Sequence, residues 1–302
     1  MPRKATAMDN LPPAFGMSMS VAALMYPVDV VRALCMANPG MSPGTAFKTF
    51  VDAHGLKGFI TQGLGAEMAR GGSARTIKFW MWPVCHNAVY GKPLAKGGPI
   101  SKGIAGALAT FPEIIFISPL ENMKLCAQLD KEGKFKGSGD IVKHLVKTRG
   151  VVGGLYIGYL GMQFRQVLFT GGSLGTMDLF KDTVKSVGIT NKLACDTLGG
   201  LMSGVFGVCL NCWAEVTRTV IQKQVVADTF KPEVKAPPVS DVINPVILSK
   251  KVGEIAAEKG VMGGLYAGFL PKCAHLGGTM ALVGVMLPRF NAAWYKFVGC
   301  EP

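Results

Sequence analysis

The sequence predicts an all-α membrane protein that is built from three similar repeats. Of its 302 residues, 49% are hydrophobic and 17% are charged, whereas an ordinary soluble protein has about 25% charged residues. Two stretches, 10–28 and 197–214, contain no Asp, Glu, Lys or Arg. Their lengths approach the roughly 20 residues that a helix needs to cross a bilayer. The 39 glycines suit helices that pack closely inside a membrane.

The excess of basic residues limits the possible partners. With 32 Lys and Arg against 19 Asp and Glu, the formal net charge is +13, which suits anionic lipids or small anionic solutes. Nucleic acid is the least suited partner, because the sequence has no zinc-finger spacing and no aromatic-basic strand motif. We therefore expect no nucleic-acid partner.

The sequence offers little for an enzyme or a metal site. It has no Gly-rich phosphate loop, no nucleophile elbow and only 4 His residues, so a catalytic cluster is not indicated. The one close cysteine pair, Cys209 and Cys212, has neither a second pair nor a spaced His beside it. We predict buried thiols, no metal, no catalytic cofactor and no enzymatic activity.

A short charged motif recurs three times at nearly even spacing. It starts with Pro or Trp, has an acid two residues later and ends on a base three residues after the acid. The starts lie 92 and 94 residues apart. The copies are Pro27-Val-Asp29-Val-Val-Arg32, Pro119-Leu-Glu121-Asn-Met-Lys124 and Trp213-Ala-Glu215-Val-Thr-Arg218. Three copies in register indicate an internal repeat of roughly 100 residues.

Two further landmarks follow each motif in the same order. Two glycines eight residues apart come first, and a basic residue stands seven residues after the second glycine. The glycine pairs are Gly55 and Gly63, Gly150 and Gly158, and Gly260 and Gly268; the basic residues are Arg70, Arg165 and His275. We therefore divide the chain into repeats 1–96, 97–189 and 190–302.

Each repeat predicts a long apolar helix, a short amphipathic helix and a second long helix after the Gly-rich turn. Three repeats then give six membrane-spanning helices and three short helices. The third repeat carries a surplus segment, 226–246, with prolines at 232, 237, 238 and 245. Because proline this dense is incompatible with a helix, we predict a surface loop there, which is either a docking arm or an idle insertion.

The three Pro-acid-base motifs, each followed by a Gly-rich turn, resemble the mitochondrial carrier family over essentially the whole chain. The resemblance implies an inner-membrane transporter with six transmembrane helices, three short matrix helices and pseudo-threefold symmetry. It also implies exchange of small anionic metabolites by alternating access through a central cavity. The run from Pro112-Glu113 into Pro119-Leu-Glu121-Asn-Met-Lys124 is similar to tricarboxylate (citrate) carriers, which favours a di- or tricarboxylate substrate.

The resemblance gives the charged motifs the role of a matrix gate. Proline removes a backbone donor and kinks a helix, which would draw three helix ends together. Desolvated ion pairs roughly break even in stability, so they can break and reform during transport. The implied pairs are Asp29 with Lys124, Glu121 with Arg218, and Glu215 with Arg32, braced by Gln128 and Gln222. The alternative is that these charges only cap helices at a membrane surface.

The same resemblance assigns Arg70, Arg165 and His275 to a substrate site. Three groups that can carry positive charge suit a carboxylate, and Arg can bind one bidentately. Gln166, beside Arg165, is similar to the Arg-plus-polar pair of carriers for keto and carboxylic acids, and Lys78 is a fourth candidate. The alternative is that the arginines snorkel or bind lipid phosphates.

The outer gate of the family pattern is largely lost. The family closes its outer end with acid–base pairs on the even-numbered helices, and Asp178 with Lys181 is the one such pair that the sequence retains. The equivalent positions of the other repeats hold Trp82, Pro83, His86, Leu287, Pro288 and Asn291. We predict apolar plugs there and a resting state that is open to the cytoplasmic side, or else a loss of transport.

Two further expectations follow from the resemblance. Gly63, Gly158 and Gly268 mark helix N-termini, which can bind phosphate groups, and in the family such sites hold cardiolipin. The eroded outer gate also leaves a second function open. The chain would then be a carrier-fold structural subunit of a larger inner-membrane respiratory assembly, docked to a protein partner through residues 226–246.

Overall fold

The computed structural model describes residues 3–4, 6–37, 41–61, 64–129, 135, 137–230 and 244–301. Within these residues the fold is almost entirely helical. The only strands in this part of the chain are β1 (Arg3–Lys4) and β2 (Cys300–Glu301), two residues each, which pair in parallel. The predicted all-α class is confirmed.

The helices recur in the predicted order of a long helix, a short helix and a second long helix. The helices are α1 Leu11–Ala37, α2 Pro43–His54, α3 Gly58–Thr61, α4 Leu64–Glu67, α5 Ser73–Tyr90, α6 Pro99–Leu129, α7 Ser138–Leu155, α8 Tyr159–Ser186, α9 Lys192–Asp228, α10 Pro245–Lys259, α11 Phe269–Lys272 and α12 Gly278–Val298. Turns of π-helix, Met68–Gly72 and Cys273–Gly277, join α4 to α5 and α11 to α12. The described residues therefore contain six long helical segments.

Four helical segments among the described residues are long and apolar enough to cross a membrane. They are Ala7–Arg32, Pro99–Cys126, Lys192–Asp228 and Phe269–Val298. The two other long segments contain α5 and α8, which are more polar, and α8 alone carries Arg165, Asp178 and Lys181. Six membrane spans therefore remain a prediction.

The first glycine of each turn is explained by its backbone. Gly55, Gly150 and Gly260 have φ values of 66°, 76° and 73°, combined with extended ψ values of 177°, 173° and 171°. This combination is open essentially only to glycine. It ends α2 and α10 and breaks α7, so the landmark terminates the short helix in every repeat.

The Pro-rich insertion is helical at both described ends. Val226–Asp228 completes α9, and Pro245 is the first residue of α10, where Asn244 Oδ1 accepts a hydrogen bond from the Val246 N–H at 3.0 Å. Proline suits this position because the first helical N–H has no partner within the helix. The helices therefore take residues from both ends of the predicted 226–246 loop, and residues 231–243 lie outside the described part.

The chain divides into two compact units with separate apolar cores. Unit 1 comprises Met1–Thr110, Val167–Leu210 and Gly268–Pro302, and unit 2 comprises Phe111–Gln166 and Asn211–Ala267. The core of unit 1 includes Met17, Phe79, Trp82, Phe169, Val208 and Met280. The core of unit 2 is formed by Cys126, Ile141, Leu145, Ile157 and Val226. Each candidate functional group below is described within its own unit.

Candidate functional site

Arg165 belongs to a buried polar cluster in unit 2. Its Nη1 lies 3.7 Å from Oε1 of Glu215 on α9. Next to it on α8, Gln166 donates from Nε2 to both carboxylate oxygens of Glu113 on α6, at 3.0 and 3.2 Å. Glu113 is only 4% exposed. Charges placed this deep in membrane helices are costly and usually functional.

Arg218 organises a second set of contacts in unit 2. Its Nη1 donates to Oε2 of Glu121 at 2.6 Å and to Oε1 of Gln222 at 2.8 Å. Gln222 in turn donates to the Ile157 carbonyl at 2.8 Å and to Oδ1 of Asn122 at 3.2 Å. The structure thus brings together one implied matrix-gate pair and the glutamine implied to brace it. It adds Asn122, whose signal in the sequence was an amide inside an apolar helix.

Gly158 is fitted to this cluster. It has a φ of 70°, and a Cβ atom there would lie 2.5 Å from Cγ of Gln222. Gly188 also has a positive φ, 97°, but a Cβ there would meet nothing within 4 Å. An added side chain would be strained by the backbone at both glycines, but it would clash with Gln222 only at Gly158. Comparing the two positions therefore isolates the energetic cost of that clash.

We expect Gly158→Ala to destabilise the protein more than Gly188→Ala. Both changes should cost about 1–2 kcal/mol for a side chain at positive φ. The Gly158 change should cost about 1–3 kcal/mol more, because the new methyl displaces Gln222. Thermal unfolding of the purified variants measures the difference, and equal losses would show that Gln222 gives way freely.

In unit 1 the first charged motif pairs within its own helix. Arg32 donates to Oδ1 of Asp29 from Nε at 3.0 Å and from Nη2 at 2.6 Å. Nε2 of His275, one of the predicted substrate residues, lies 3.5 Å from the same oxygen. Asp29 is therefore shared between the base of its motif and a substrate-site residue of the third repeat.

A predicted gate acid thus contacts a predicted substrate-site base in both units. In unit 1 the pair is Asp29 with His275, and in unit 2 it is Glu215 with Arg165. At 3.5 and 3.7 Å, both contacts are longer than a good hydrogen bond. The contact through His275 is ionic when that imidazole is protonated. An anion bound to either base would compete with the gate carboxylate for it.

The other predicted substrate residues of unit 1, Arg70 and Lys78, lie in the π turn before α5 and in α5 itself. Arg70 donates from Nη2 to Oε2 of Glu67 at 2.5 Å. Lys78 on α5 is 7% exposed, and Lys272 on α11 is 5% exposed. Lys272 was not singled out from the sequence, although a lysine three residues before His275 inside an apolar stretch was a usable signal. A buried lysine in such a stretch faces the protein interior rather than lipid.

Two of the three predicted substrate residues lie in π-helical turns. Arg70 is in Met68–Gly72 and His275 is in Cys273–Gly277, whereas Arg165 is in the regular helix α8. A π turn inserts an extra residue into a helix and is frequent at functional sites. Arg70, Arg165 and His275 all stand seven residues after the second turn glycine. This spacing therefore does not reveal which of the three lie in a π turn.

The predicted outer-gate residues, Asp178 and Lys181, have different partners in unit 1. Nζ of Lys102 lies 2.5 Å from Oδ2 of Asp178, and Nζ of Lys181 lies 2.9 Å from Oδ1 of Asp196. Nη1 of Arg289 lies 3.9 Å from the other oxygen of Asp196. Sequence reasoning missed Lys102, Asp196 and Arg289. The signal available for the first two was a charge near the start of an apolar helix.

The residues at the eroded outer-gate positions of the first repeat are structural anchors. Trp82 donates from Nε1 to the Lys102 carbonyl at 3.0 Å. The buried ring of His86 lies 2.9 Å from the Lys92 carbonyl through Nδ1 and 3.1 Å from Oγ of Ser101 through Nε2. In the third repeat, Leu287 packs against the apolar core of unit 1. The resting state open to the cytoplasm stays a prediction.

The remaining matrix-gate pairs and some predicted residues are not tested by the structure. Asp29 with Lys124 and Glu215 with Arg32 would join residues of different units, so both pairings remain predictions. Lys124 itself has an exposed side chain. Gly63 and the side chain of Gln128 lie outside the described residues. Gly268 is described, has a φ of 73° and directly precedes α11.

A cavity of about 170 Å³ lies beside Gly158 in unit 2. Its walls come from the end of α7, the start of α8, the α9 segment around Arg218 and the start of α10. The lining residues are Arg149, Gly153, Ile157, Gly158, Leu160, Gly161, Arg218, Ile221, Val225, Asn244, Ile247 and Leu248. It is an apolar cavity with two arginines, placed at one of the helix N-termini that the sequence predicted to bind lipid.

Known proteins resemble the chain over most of its length. It is 28% identical over 264 residues to a probable mitochondrial 2-oxodicarboxylate carrier of Dictyostelium discoideum, covering 84% of this chain and 80% of that one. It is 25% identical over 284 residues to mitochondrial citrate transporter D of Aspergillus niger, covering 87% and 88%. It is 24% identical over 234 residues to a mitochondrial adenyl nucleotide antiporter of Homo sapiens, covering 74% and 44%.

A match to a family model agrees with these relatives. Residues 96–188, nearly the whole second repeat, match the family described as mitochondrial carrier protein. The chain is therefore similar to mitochondrial carriers over most of its length, and its second repeat matches the model of their family. The matched proteins are carriers of the mitochondrial inner membrane, and the apolar helices of this chain fit that membrane. The family whose model matches is one of transporters.

Proposed function

We propose that this carrier transports a small di- or tricarboxylate across the mitochondrial inner membrane, by exchange and alternating access. The observation that carries the proposal is Arg165, a guanidinium of α8 with the amide of Gln166 next to it and Glu215 at 3.7 Å. A guanidinium has a planar fork of donors that matches a carboxylate bidentately.

The contact between Arg165 and Glu215 fits a site whose cation changes partners. An arginine inside a membrane protein needs a negative counter-charge, because an unpaired charge there is expensive. Glu215 supplies that charge from beyond hydrogen-bond distance. A substrate carboxylate that approaches to about 2.8 Å forms the stronger, charge-assisted bond. It then replaces Glu215 as the partner and frees a gate residue.

The printed functions of two relatives support carboxylates. One is described as a carrier of 2-oxodicarboxylates and one as a citrate transporter. A third is described as an antiporter of adenyl nucleotides, so nucleotides are the rival substrates that an experiment has to include. His275 and the buried Lys78 and Lys272 give unit 1 further groups that suit an anion.

We extend the proposal to a bound cardiolipin. The cavity beside Gly158 has apolar walls for acyl chains and two arginines, Arg149 and Arg218, for phosphate. α8 and α10 both begin beside it, and N–H groups in the first turn of a helix favour anions. Lipid released from the purified carrier and measured by mass spectrometry tests this extension. Gly268 and Gly63 are the equivalent positions of the other repeats.

Thermal stabilisation by candidate substrates tests the substrate class. A ligand that binds the folded state stabilises it by about 2.7 kcal/mol at 100 times its dissociation constant. We expect citrate, malate and 2-oxoglutarate to raise the melting temperature of the purified carrier, and ATP and ADP to leave it unchanged. Stabilisation by nucleotides alone would overturn the carboxylate assignment. Stabilisation by none of these anions, with co-purification of a respiratory complex, would point to the structural-subunit alternative.

A further inference from the structure

The outer end of unit 1 holds a ring of contacts between neighbouring helices. We define the outer end as the end where α5, α8 and α12 finish and where α6 and α9 begin. Three ionic contacts there link α6 to α8, α8 to α9 and α9 to α12. We call them the outer rim; its members are Lys102, Asp178, Lys181, Asp196 and Arg289.

Neutral hydrogen bonds complete the ring on the remaining sides. Trp80 donates to the Ala7 carbonyl at 2.8 Å, which ties α5 to the turn before α1. Trp82 donates to the Lys102 carbonyl at 3.0 Å, which ties α5 to α6. Tyr295 of α12 donates to the side chain of Asn10, which precedes α1. Every long helix of unit 1 is thus tied to both neighbours at this end.

Glycines bring the rim helices close enough for these contacts. A Cβ at Gly103 of α6 would lie 3.2 Å from Cα of Gly175 on α8. A Cβ at Gly199 of α9 would lie 3.0 Å from Cα of Lys181, and one at Gly200 would lie 2.8 Å from Cα of Ala281 on α12. Each ionic contact of the rim therefore stands beside a close crossing of the same two helices.

The outer rim includes Asp178 and Lys181, the one acid–base pair that the sequence retained for an outer gate. Asp178 and Lys181 lie three residues apart on α8, yet each binds a different helix. The pair of Lys181 with Asp196 is well shielded, with side-chain exposures of 16% and 10%. Such a pair has little net effect on stability but is costly to break by removal of one partner. It can therefore hold a conformation and still exchange.

We propose that Lys102 and Asp196 are positioning residues of the outer end, and that their ion pairs with Asp178 and Lys181 part and reform in each transport cycle. Alternating access requires each state to have contacts that the other state lacks. The family's outer pairs between even helices are absent in two repeats, so the rim supplies such contacts between neighbouring helices instead. This inference depends on the chain being a transporter but not on which anion it carries.

Charge exchange between Lys102 and Asp178 tests the pairing. Asp178 is 46% exposed and Lys102 is 16% exposed, so this pair is weaker than that of Lys181 with Asp196. We expect Lys102→Asp and Asp178→Lys each to lower the melting temperature and to lower citrate uptake into liposomes by up to about fivefold. The double variant should recover most of both. The matched control is the exposed pair of Lys185 with Asp182 on α8, whose reversals should change neither. The pairing would be overturned if Lys102→Asp and Asp178→Lys left the melting temperature and uptake as unchanged as the control reversals do. It would also be overturned if the double variant recovered neither quantity. The melting temperature is measured without substrate. It therefore tests the ion pair even if citrate is not the substrate.

Reversible cross-linking tests whether the rim parts. Lys102→Cys with Asp178→Cys, in a chain whose native cysteines are replaced by alanine, is treated with a bifunctional thiosulfonate and later with dithiothreitol. We expect the cross-link to stop citrate uptake and the reductant to restore it. Asp182→Cys with Lys185→Cys, joined within α8, should continue to transport. Undiminished uptake by the cross-linked protein would show that α6 and α8 need not separate at this point during transport, and would overturn the proposal. If the cysteine-free chain fails to fold, the same two double variants in the native chain are compared instead.

Discussion

The Glu121→Arg variant is expected to lose substrate uptake by at least about 100-fold, because removing one partner of a buried pair costs about 3–5 kcal/mol. In unit 2 the new guanidinium would face Arg218, whose Nη1 now lies 2.6 Å from Glu121. It would also disturb Gln222, which accepts a hydrogen bond from the same Nη1. Initial rates of uptake into liposomes, corrected for the amount of folded protein, measure the loss.

Joint exchange of the two charges should recover part of this activity. The Glu121→Arg and Arg218→Glu double variant restores an acid facing a base, although Gln222 must donate to the new acid instead of accepting. The control is Glu254→Lys, at the exposed Lys251–Glu254 pair of α10, where an exposed pair is worth about 0–1 kcal/mol and uptake should hardly change. A double variant as inactive as Glu121→Arg would count against the pair as a gate.

The Glu215→Gln variant is expected to bind substrate more tightly and to transport it more slowly. Neutralising Glu215 removes the competitor for Arg165, and about 1 kcal/mol of released competition lowers the half-saturation concentration about fivefold. The same change removes a charge of the predicted matrix gate, so the maximal exchange rate should fall. Opposite movements of affinity and rate are not expected from a residue that only supports the fold.

The control variant for this prediction keeps the contact between Arg165 and Glu215. Gln222→Met removes the brace of Arg218 but makes no change at Glu215. It should lower the maximal rate at an unchanged half-saturation concentration. The idea of a shared carboxylate would be wrong if Glu215→Gln raised the half-saturation concentration, or left it equal to that of Gln222→Met.

The repeat made much of the fold predictable. The turn glycines sit at positions 55, 150 and 260 because the chain needs the same glycine-only conformation there in every repeat. The charged motifs led to Glu121 and Arg218, which do pair. The Pro-rich insertion was drawn too long, because composition cannot show that Pro245 occupies the first position of a helix.

The rest of the candidate site depends on packing that a repeat cannot reveal. The π turns at Arg70 and His275 lie in helices whose sequence spacing equals that of α8, so spacing cannot detect them. Lys102 and Asp196 fall outside the threefold pattern. They become partners of Asp178 and Lys181 only because glycines such as Gly103 and Gly199 bring their helices together.

Uptake of labelled citrate or 2-oxoglutarate by liposomes that contain the purified carrier tests the central claim most directly. The liposomes are loaded with the same carboxylate, with ATP or with buffer, and the native chain is compared with Arg165→Ala. Rapid uptake only into carboxylate-loaded liposomes, lost in the Arg165→Ala variant, is the predicted result. Uptake that Arg165→Ala leaves intact, or labelled ATP taken up in place of both carboxylates, would contradict it.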